Sequence, residues 1–414
     1  MPPHVESLPL WAAAPFAALI LCIALAPLLA SAWWEAHSRK ALLTACVAAP
    51  VALYLCVYDR TALSHALLEY GSFVVVLLAL FVVAGGVQVR GDLVATPAMN
   101  VMWLGLGAVL ANILGTTGAS MLLIRVFLRS NRQRRRTKHL APFFILVVSN
   151  CGGLLTPLGD PPLFLGYLRG VPFSWTLRMW PFWLLAVAYL LAVFFVVDSR
   201  AYRNERAHDK AVDVVRAVPV SIRGGVHVLL LAIVVGASLL PALYREGTML
   251  LATFVSLFLT DPAPRRANGF SMHPIWEVAI LFLGIFVTMV PALQILRAHA
   301  SSMPVHEPWQ FFLVTGSLSS VLDNAPTYLS FVSTAQGLNL PNEVIGIPHA
   351  HLIAISLGAV WMGANTYLGN GPNFMVKAIA EESGVTMPSF FGYAVRAVTV
   401  MLPLYIIAAL VLAY

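Results

Sequence analysis

Apolar runs of about 20 residues recur from one end of this chain to the other, each long enough to cross the hydrocarbon core of a bilayer. No polar stretch between them could house a separate soluble domain. The chain has 414 residues, 59% of them hydrophobic and only 10% charged, with a mean hydropathy of +0.83. Soluble domains carry about 25% charged residues, so water is excluded as the main solvent. The expectation is one all-α polytopic membrane domain.

Candidate full crossings fall at about 10–30, 41–57, 72–88, 139–168, 180–197, 225–243, 248–260, 276–293, 348–381 and 390–412. Two further apolar stretches, about 98–123 and 309–333, read as re-entrant hairpins. Each is broken near its middle by polar, turn-forming residues, Asn112 to Gly118 in one and Asp323 to Thr327 in the other. Pro326 and the glycines interrupt the helical ladder. Such breaks persist at membrane depth only where they are buried in protein or line a wet cavity.

Charge tests this count. With the N-terminus outside, the walk puts 20 of the 25 Lys and Arg residues inside and leaves Arg60, Arg169, Arg178, Arg245 and Arg297 outside, as the positive-inside rule requires. Most of the inside charge lies in 125–138 and 200–223. A basic run can mark nucleic-acid binding, but between apolar spans it reads as a cytoplasmic loop, and no nucleic acid is expected. Treating either hairpin as a single crossing destroys the bias. Both termini are then expected outside.

Under this walk the two halves have inverted topology: a first repeat at 1–198, a cytoplasmic basic linker at 199–224, and an inverted second repeat at 225–414. Each half contains three crossings, a hairpin, and a long segment interrupted by Asn, Gly and Pro. The interruptions run from Ser149 to Pro162 and from Gly363 to Asn373. The separations Asn112 to Asn150 and Asn324 to Asn365 are similar, 38 and 41 residues, which aligns the two pairs. Hydrophobic segments interrupted at matching places point to the binding site of a secondary transporter. An unwound helix exposes carbonyls from one half-helix, suited with Asn, Ser and Thr oxygens to sodium, and N–H groups from the other, suited to an anion.

Asp160 and Asp323 are the two carboxylates inside these interruptions. A charge at the bilayer centre costs roughly 3 kcal/mol or more, so it is rare without a function. Burial favours the neutral form and a nearby cation the charged form. Such a group can hold a proton when the site is empty and release it when sodium enters, which is sufficient for antiport. The bland alternative is that both aspartates only cap broken half-helices.

Other residues read as structural. Cys22, Cys46, Cys56 and Cys151 lie in apolar runs without CxxC spacing and are expected as buried thiols. Ala30-Ser31-Ala32 could pass for a signal-peptidase site, but no Lys or Arg precedes the run, and a retained helix is expected. His349 and His351 cannot chelate a metal from one helix face. Trp33, Trp34, Trp180 and Trp183 read as interfacial belt residues, Lys377 as a snorkelling anchor, and Glu277 as interfacial.

SNCGGLLTPLGDPPLFLGYLRG, LDNAPTYLSF and GANTYLGNGPNFMVKAIAEESGVTMPSFFGY closely resemble bacterial carriers of the ion transporter superfamily. The nearest group is labelled sodium/proton antiporter (NhaD-like) or citrate transporter (CitMHS-like). The likeness covers roughly residues 70 to 414, and GDPP and GNGPN are specific within it. It implies a scaffold part and a mobile transport part, elevator-like motion, a homodimer in the bacterial cytoplasmic membrane, and no cofactor beyond sodium and protons as transported or coupling ions. Carried over by motif, it implies Asn112, Thr116 and Thr117 at the first hairpin tip and Ser149, Asn150, Thr156 and Asp160 in the first broken segment. From the second half it implies Asp323, Asn324 and Thr327, then Asn365, Thr366, Asn370 and Asn373. Sodium would bind through these same residues, with no transition-metal site. Dicarboxylate carriers typically show Ser-Asn-Thr at both tips; here stand Ser149-Asn150-Cys151 and Ala364-Asn365-Thr366, neither a full match.

Cation/proton antiport is the leading expectation, since an anion would meet repulsion from Asp160 and Asp323. Sodium- or proton-coupled uptake of citrate or another organic anion comes second, and anion or metalloid efflux third. An intramembrane aspartyl protease would also use two embedded aspartates, but its GxGD signature fails at Pro157, and Leu322 replaces the Tyr expected before Asp323. A membrane scaffold would gain nothing from four matched interruptions.

Overall fold

The computed structural model describes residues 8–34 and 36–413; the expected outward placement of the two termini falls outside the described residues. The chain is almost entirely helical. The first three helices are α1 (Ala14–Leu29), α2 (His37–Tyr58) and α3 (Arg60–Gly85), followed by a short strand β1 (Gln88–Asp92). The helix α3 begins twelve residues before the apolar run suggested. Its first turns are polar, and the Asp59 carboxylate caps them by accepting from the Ala62 N–H at 3.0 Å. It also ends earlier than expected, because Gln88 already belongs to the strand.

Next comes α4 (Pro97–Ser130), a hairpin rather than a rod. Gly115 breaks it with φ 74° and ψ 158°, a conformation in which any side chain is strained. Near its ends, Asn100 and Asn131 exchange amide hydrogen bonds at 2.9 and 2.8 Å. A straight helix would hold residues 31 apart at about 46 Å. The legs therefore fold back on each other. Two thirds (67%) of the most apolar stretch of this element is buried, against 22% for α2, so the open backbone is shielded by protein, as lipid requires.

The first half closes with α5 (Leu140–Val147), an unwound stretch, α6 (Pro161–Leu168), and α7 (Trp180–Arg203). A connecting segment follows, made of α8 (Ala207–Arg216) and β2 (Val218–Arg223). The strand β2 pairs antiparallel with β1, with Gln88 opposite Arg223 and an irregularity between Arg90 and Asp92.

The same order then repeats: α9 (Gly225–Ala237), α10 (Tyr244–Phe258) and α11 (His273–Ala298), a hairpin of α12 (Pro308–Ser319) and α13 (Asn324–Gly337), and a broken segment of α14 (His349–Met362) and α15 (Gly371–Glu382). The last helix is α16 (Phe390–Ala413). The α12–α13 pair is a hairpin because the rings of Phe311 and Phe331 meet edge-on at 6.2 Å. Among the described residues seven helices are long and apolar enough to cross a bilayer, and one of these is the folded-back α4.

The halves are joined by an aromatic cluster in which Phe73 of α3 stacks on Phe282 of α11 at 4.8 Å and approaches Phe164 of α6. Large apolar side chains such as Leu42, Leu53, Leu229, Leu251 and Phe391 point outward, which suits lipid and not water. Cys151 is buried, but Cys46 and Cys56 lie on this outward face, so the expectation of uniformly buried thiols is corrected. Of the tryptophans, Trp33 and Trp180 are exposed as belt residues should be. Trp34 and Trp183 are not belt residues: Trp34 is buried under Lys40, and the Trp183 indole donates to the Gly152 carbonyl at 2.8 Å. Glu277 pairs with the buried Lys40 at 2.6 Å, and Lys377 with Glu381 at 2.8 Å.

Candidate functional site

The four interruptions meet. Each unwound stretch is pinned to the tip of its own hairpin by the same two bonds. In the first half, the Thr116 N–H donates to the Gly159 carbonyl at 2.8 Å, and the Thr156 hydroxyl to the Asn112 carbonyl at 2.5 Å. In the second, the Asn324 N–H donates to the Gly369 carbonyl at 3.1 Å, and the Thr366 hydroxyl to the Ser320 carbonyl at 2.6 Å. The loops also cross themselves alike. A Cβ on Gly159 would lie 2.0 Å from the Gly153 carbonyl oxygen, and one on Gly369 2.5 Å from that of Gly363. These contacts correct the alignment of the two halves by their asparagines. Thr116 corresponds to Asn324, Asn112 to Ser320, Thr156 to Thr366, and Asp160 to Asn370.

Asp160 is the N-cap of α6, and Asn370 the N-cap of α15. An N-cap side chain ordinarily accepts from the N–H of the second or third helical residue. In both helices the second residue is proline, Pro162 and Pro372, and the third N–H is taken by the cap's own carbonyl at 3.0 Å. Neither side chain caps its helix, and both are free to reach across. Asp160 is 1% exposed. It accepts from the Thr116 hydroxyl at 2.8 Å and the Asn370 amide at 2.9 Å on one oxygen, and from the Asn324 amide at 2.7 Å on the other. One carboxylate thus ties together both hairpin tips and both broken segments.

The reading of both aspartates as mere caps is overturned for Asp160. It describes Asp323, whose carboxylate accepts from the Ala325 N–H at 3.0 Å. The two aspartates share no hydrogen bond among the described residues.

The other expected residues line the same seam. Asn370 also donates to Ser149 O and Asn150 Oδ1 at 3.1 and 3.2 Å, and Asn150 donates to Asn373 Oδ1 at 2.7 Å. Asn373 in turn holds the carbonyls of Gly363 and Thr366, both at 2.8 Å. Asn112 Oδ1 accepts from the Leu155 N–H at 2.8 Å, and Asn365 donates to Ser320 Oγ at 2.9 Å. Thr327 donates to the Asp323 carbonyl of its own helix start at 2.9 Å and makes no bond to Asp160 among the described residues. Sequence reasoning missed Ser120, which bonds Ser149 Oγ at 2.8 Å, and Tyr405, which donates to Asn365 Oδ1 at 2.7 Å. Both sit in apolar helices where no local pattern marks them. His349 accepts from the Trp175 indole at 2.9 Å, and His351 Nε2 meets the His306 carbonyl at 2.8 Å, so each is engaged structurally.

Four helix N-termini converge here, those of α6, α13, α15 and the second leg of α4. Each carries a partial positive charge of up to about half an elementary unit, and Asp160 stands among them. No Lys, Arg or His pairs with it among the described residues. Asn324 Oδ1, next to the amide group that holds Asp160, is buried without a hydrogen-bond partner. A cavity of about 70 Å³ reaches Asp160 between the tip residues Gly115, Thr116 and Thr117 and an apolar wall that includes Leu80 and Phe81 of α3 and Val278 of α11.

A bundle of apolar helices enclosing a polar junction of hairpin tips and unwound helices defines a multi-pass membrane transporter. The chain belongs to the family described as "Putative citrate transport", which it matches over residues 5–413. It is also similar, at 25% identity over 311 residues, to an uncharacterized transporter of Synechocystis sp., covering 66% of this chain and 68% of that protein.

Proposed function

We propose that the protein is a secondary active transporter exchanging sodium or lithium for protons, with Asp160 as the group that carries one or the other. The observation behind this reading is a buried carboxylate without a basic partner, at the junction of both halves, beside an orphaned amide oxygen. A small cation there gains the Asp160 carboxylate and Asn324 Oδ1 as hard oxygen ligands. When the cation leaves, a proton on Asp160 removes the uncompensated charge, and the Thr116 hydroxyl can rotate from donor to acceptor to receive it. Asn112, Asn150, Asn365, Thr366 and Asn373 support the junction by holding its loops, Thr117 lines the cavity beside it, and Asp323 keeps the second tip helical.

The same reading takes the two halves as inverted repeats and the basic end as cytoplasmic, within a bacterial cytoplasmic membrane. It further takes the hairpins and broken segments as a part that slides, elevator-fashion, against α3 and α11. A homodimer is expected on family likeness.

Sodium- or proton-coupled transport of citrate or another organic anion is the second reading, favoured by the four converging helix N-termini. Against it, the cavity holds a few water-sized occupants, enough for a partly hydrated cation and too little for a tricarboxylate. To separate the two, the protein is reconstituted in vesicles and the internal pH is followed on adding sodium or lithium, with labelled citrate uptake measured in parallel. Sodium-dependent proton flux without citrate supports antiport. Citrate uptake that collapses without an ion gradient, and no sodium-dependent proton flux, replaces it.

A further inference from the structure

A second cavity, about 540 Å³, opens between α7 and α16 at the end where the basic loops gather, with α5 as its floor. Its composition is split. Phe143 and Val400 contribute an apolar surface, while Arg136, Lys138, Arg200 and Arg396 ring the opening. These four basic residues are exposed, and none has a carboxylate partner among the described residues. Nearby acids are already committed: Asp198 to Arg134 and His139, Asp209 to Arg135, and Glu205 to the backbone N–H groups of Arg135 and Arg136. The helices α7 and α16 are held together deeper in, where the Tyr189 hydroxyl donates to the Val400 carbonyl at 3.0 Å.

We propose that this cavity is a binding site for an anionic phospholipid, with the headgroup phosphate held by Arg136, Lys138, Arg200 and Arg396 and an acyl chain laid along Phe143 and Val400. Basic pockets between membrane helices on the cytoplasmic side have the chemistry for such headgroups. A free anion would use the charges but gain nothing from the apolar floor. A nucleic acid would likewise leave that floor empty. The lipid is the occupant that uses both surfaces. The site does not touch the Asp160 junction, so it stands whether or not the transport reading does.

The test is lipid retention by the purified full-length protein in detergent, read by native mass spectrometry with added dioleoylphosphatidylglycerol, dioleoylphosphatidylcholine or inorganic phosphate. Phosphatidylglycerol is expected to remain bound and phosphatidylcholine to be lost. Each basic residue near an anionic headgroup is worth about fivefold in affinity, so R136Q/R200Q/R396Q weakens retention by about a hundredfold. Val400→Trp, which fills the apolar part of the cavity from α16 and leaves the charges, also reduces it. R60Q/R178Q/R297Q, altered in basic residues expected at the opposite end, retains the lipid as the unaltered protein does. Equal retention by the unaltered protein and R136Q/R200Q/R396Q overturns the proposal. So does displacement of the lipid by inorganic phosphate together with indifference to Val400→Trp, which would mark a plain anion site.

Discussion

Asn370 and Asp160 occupy corresponding positions in the two halves of the chain, and the amide of one donates to the carboxylate of the other at 2.9 Å. The matching loops of the two halves therefore meet at one asymmetric pair. Two like N-caps facing each other would be two carboxylates in repulsion or two neutral amides with no charge to exchange. One of each gives a single negative charge within a ring of donors.

Asp160→Asn is expected to abolish sodium-driven proton flux while the protein still folds. The substitution keeps the side-chain volume but sets an amide N–H against one of three donors, and a buried unmatched donor costs about 1–3 kcal/mol. The double swap D160N/N370D returns the carboxylate to the same junction from the other side and should recover measurable flux. Thermal unfolding and vesicle flux on both variants check this.

Gly115→Ala should both destabilise and slow the protein. The left-handed backbone at Gly115 costs a side chain about 1–3 kcal/mol, and the added Cβ would sit 3.1 Å from the Leu158 carbonyl oxygen. Gly71→Ala is the control. Gly71 is in the middle of α3 with nothing within 4 Å of a Cβ, so alanine there stabilises by up to about 1 kcal/mol.

At the open end of the first hairpin, Asp198 accepts from Arg134, from His139 at 2.8 Å and from Asn100 at 2.9 Å, all buried or nearly so. Arg134→Ala leaves this charge short of its main partner, a loss of about 3–5 kcal/mol. Replacing both members, R134M/D198L, should cost less than the single change. Thermal unfolding in detergent distinguishes these outcomes.

If one proton and one sodium compete for Asp160, the sodium concentration giving half-maximal flux should rise about tenfold for each unit by which pH falls within the competing range. Asp323→Asn should leave that slope intact, because asparagine caps a helix as well as aspartate and Asp323 faces a backbone N–H. Flux titrations at several pH values measure both slopes.

Much of this was legible in the sequence because open backbone in lipid demands unusual residues. The break at Asn112 to Gly118, the glycines at 153 and 159, and Asp160 all announce themselves against an apolar background. Where the backbone is unexceptional, the sequence is quiet. Aligning the halves by their asparagines misplaced the correspondence, because the shared bonds are made by backbone groups and by Thr156 and Thr366, which many residue types could flank. The Asn100–Asn131–Asp198–Arg134 cluster joins residues up to about a hundred positions apart, and no local spacing reveals it. The pairing of β1 with β2 was hidden for the same reason, with β2 inside the segment that read as a basic linker. Asp160 and Asp323 looked equivalent in the sequence; Pro162 separates them, since it removes one N–H a cap would use, and the other, on Leu163, is taken by the Asp160 carbonyl.

The most direct test is proton release on sodium binding, measured by potentiometry on the purified protein in weakly buffered detergent. Close to one proton is expected to be released per sodium bound, and none from the Asp160→Asn variant. Equal release from that variant, or sodium binding that frees no proton from the unaltered protein, would contradict it.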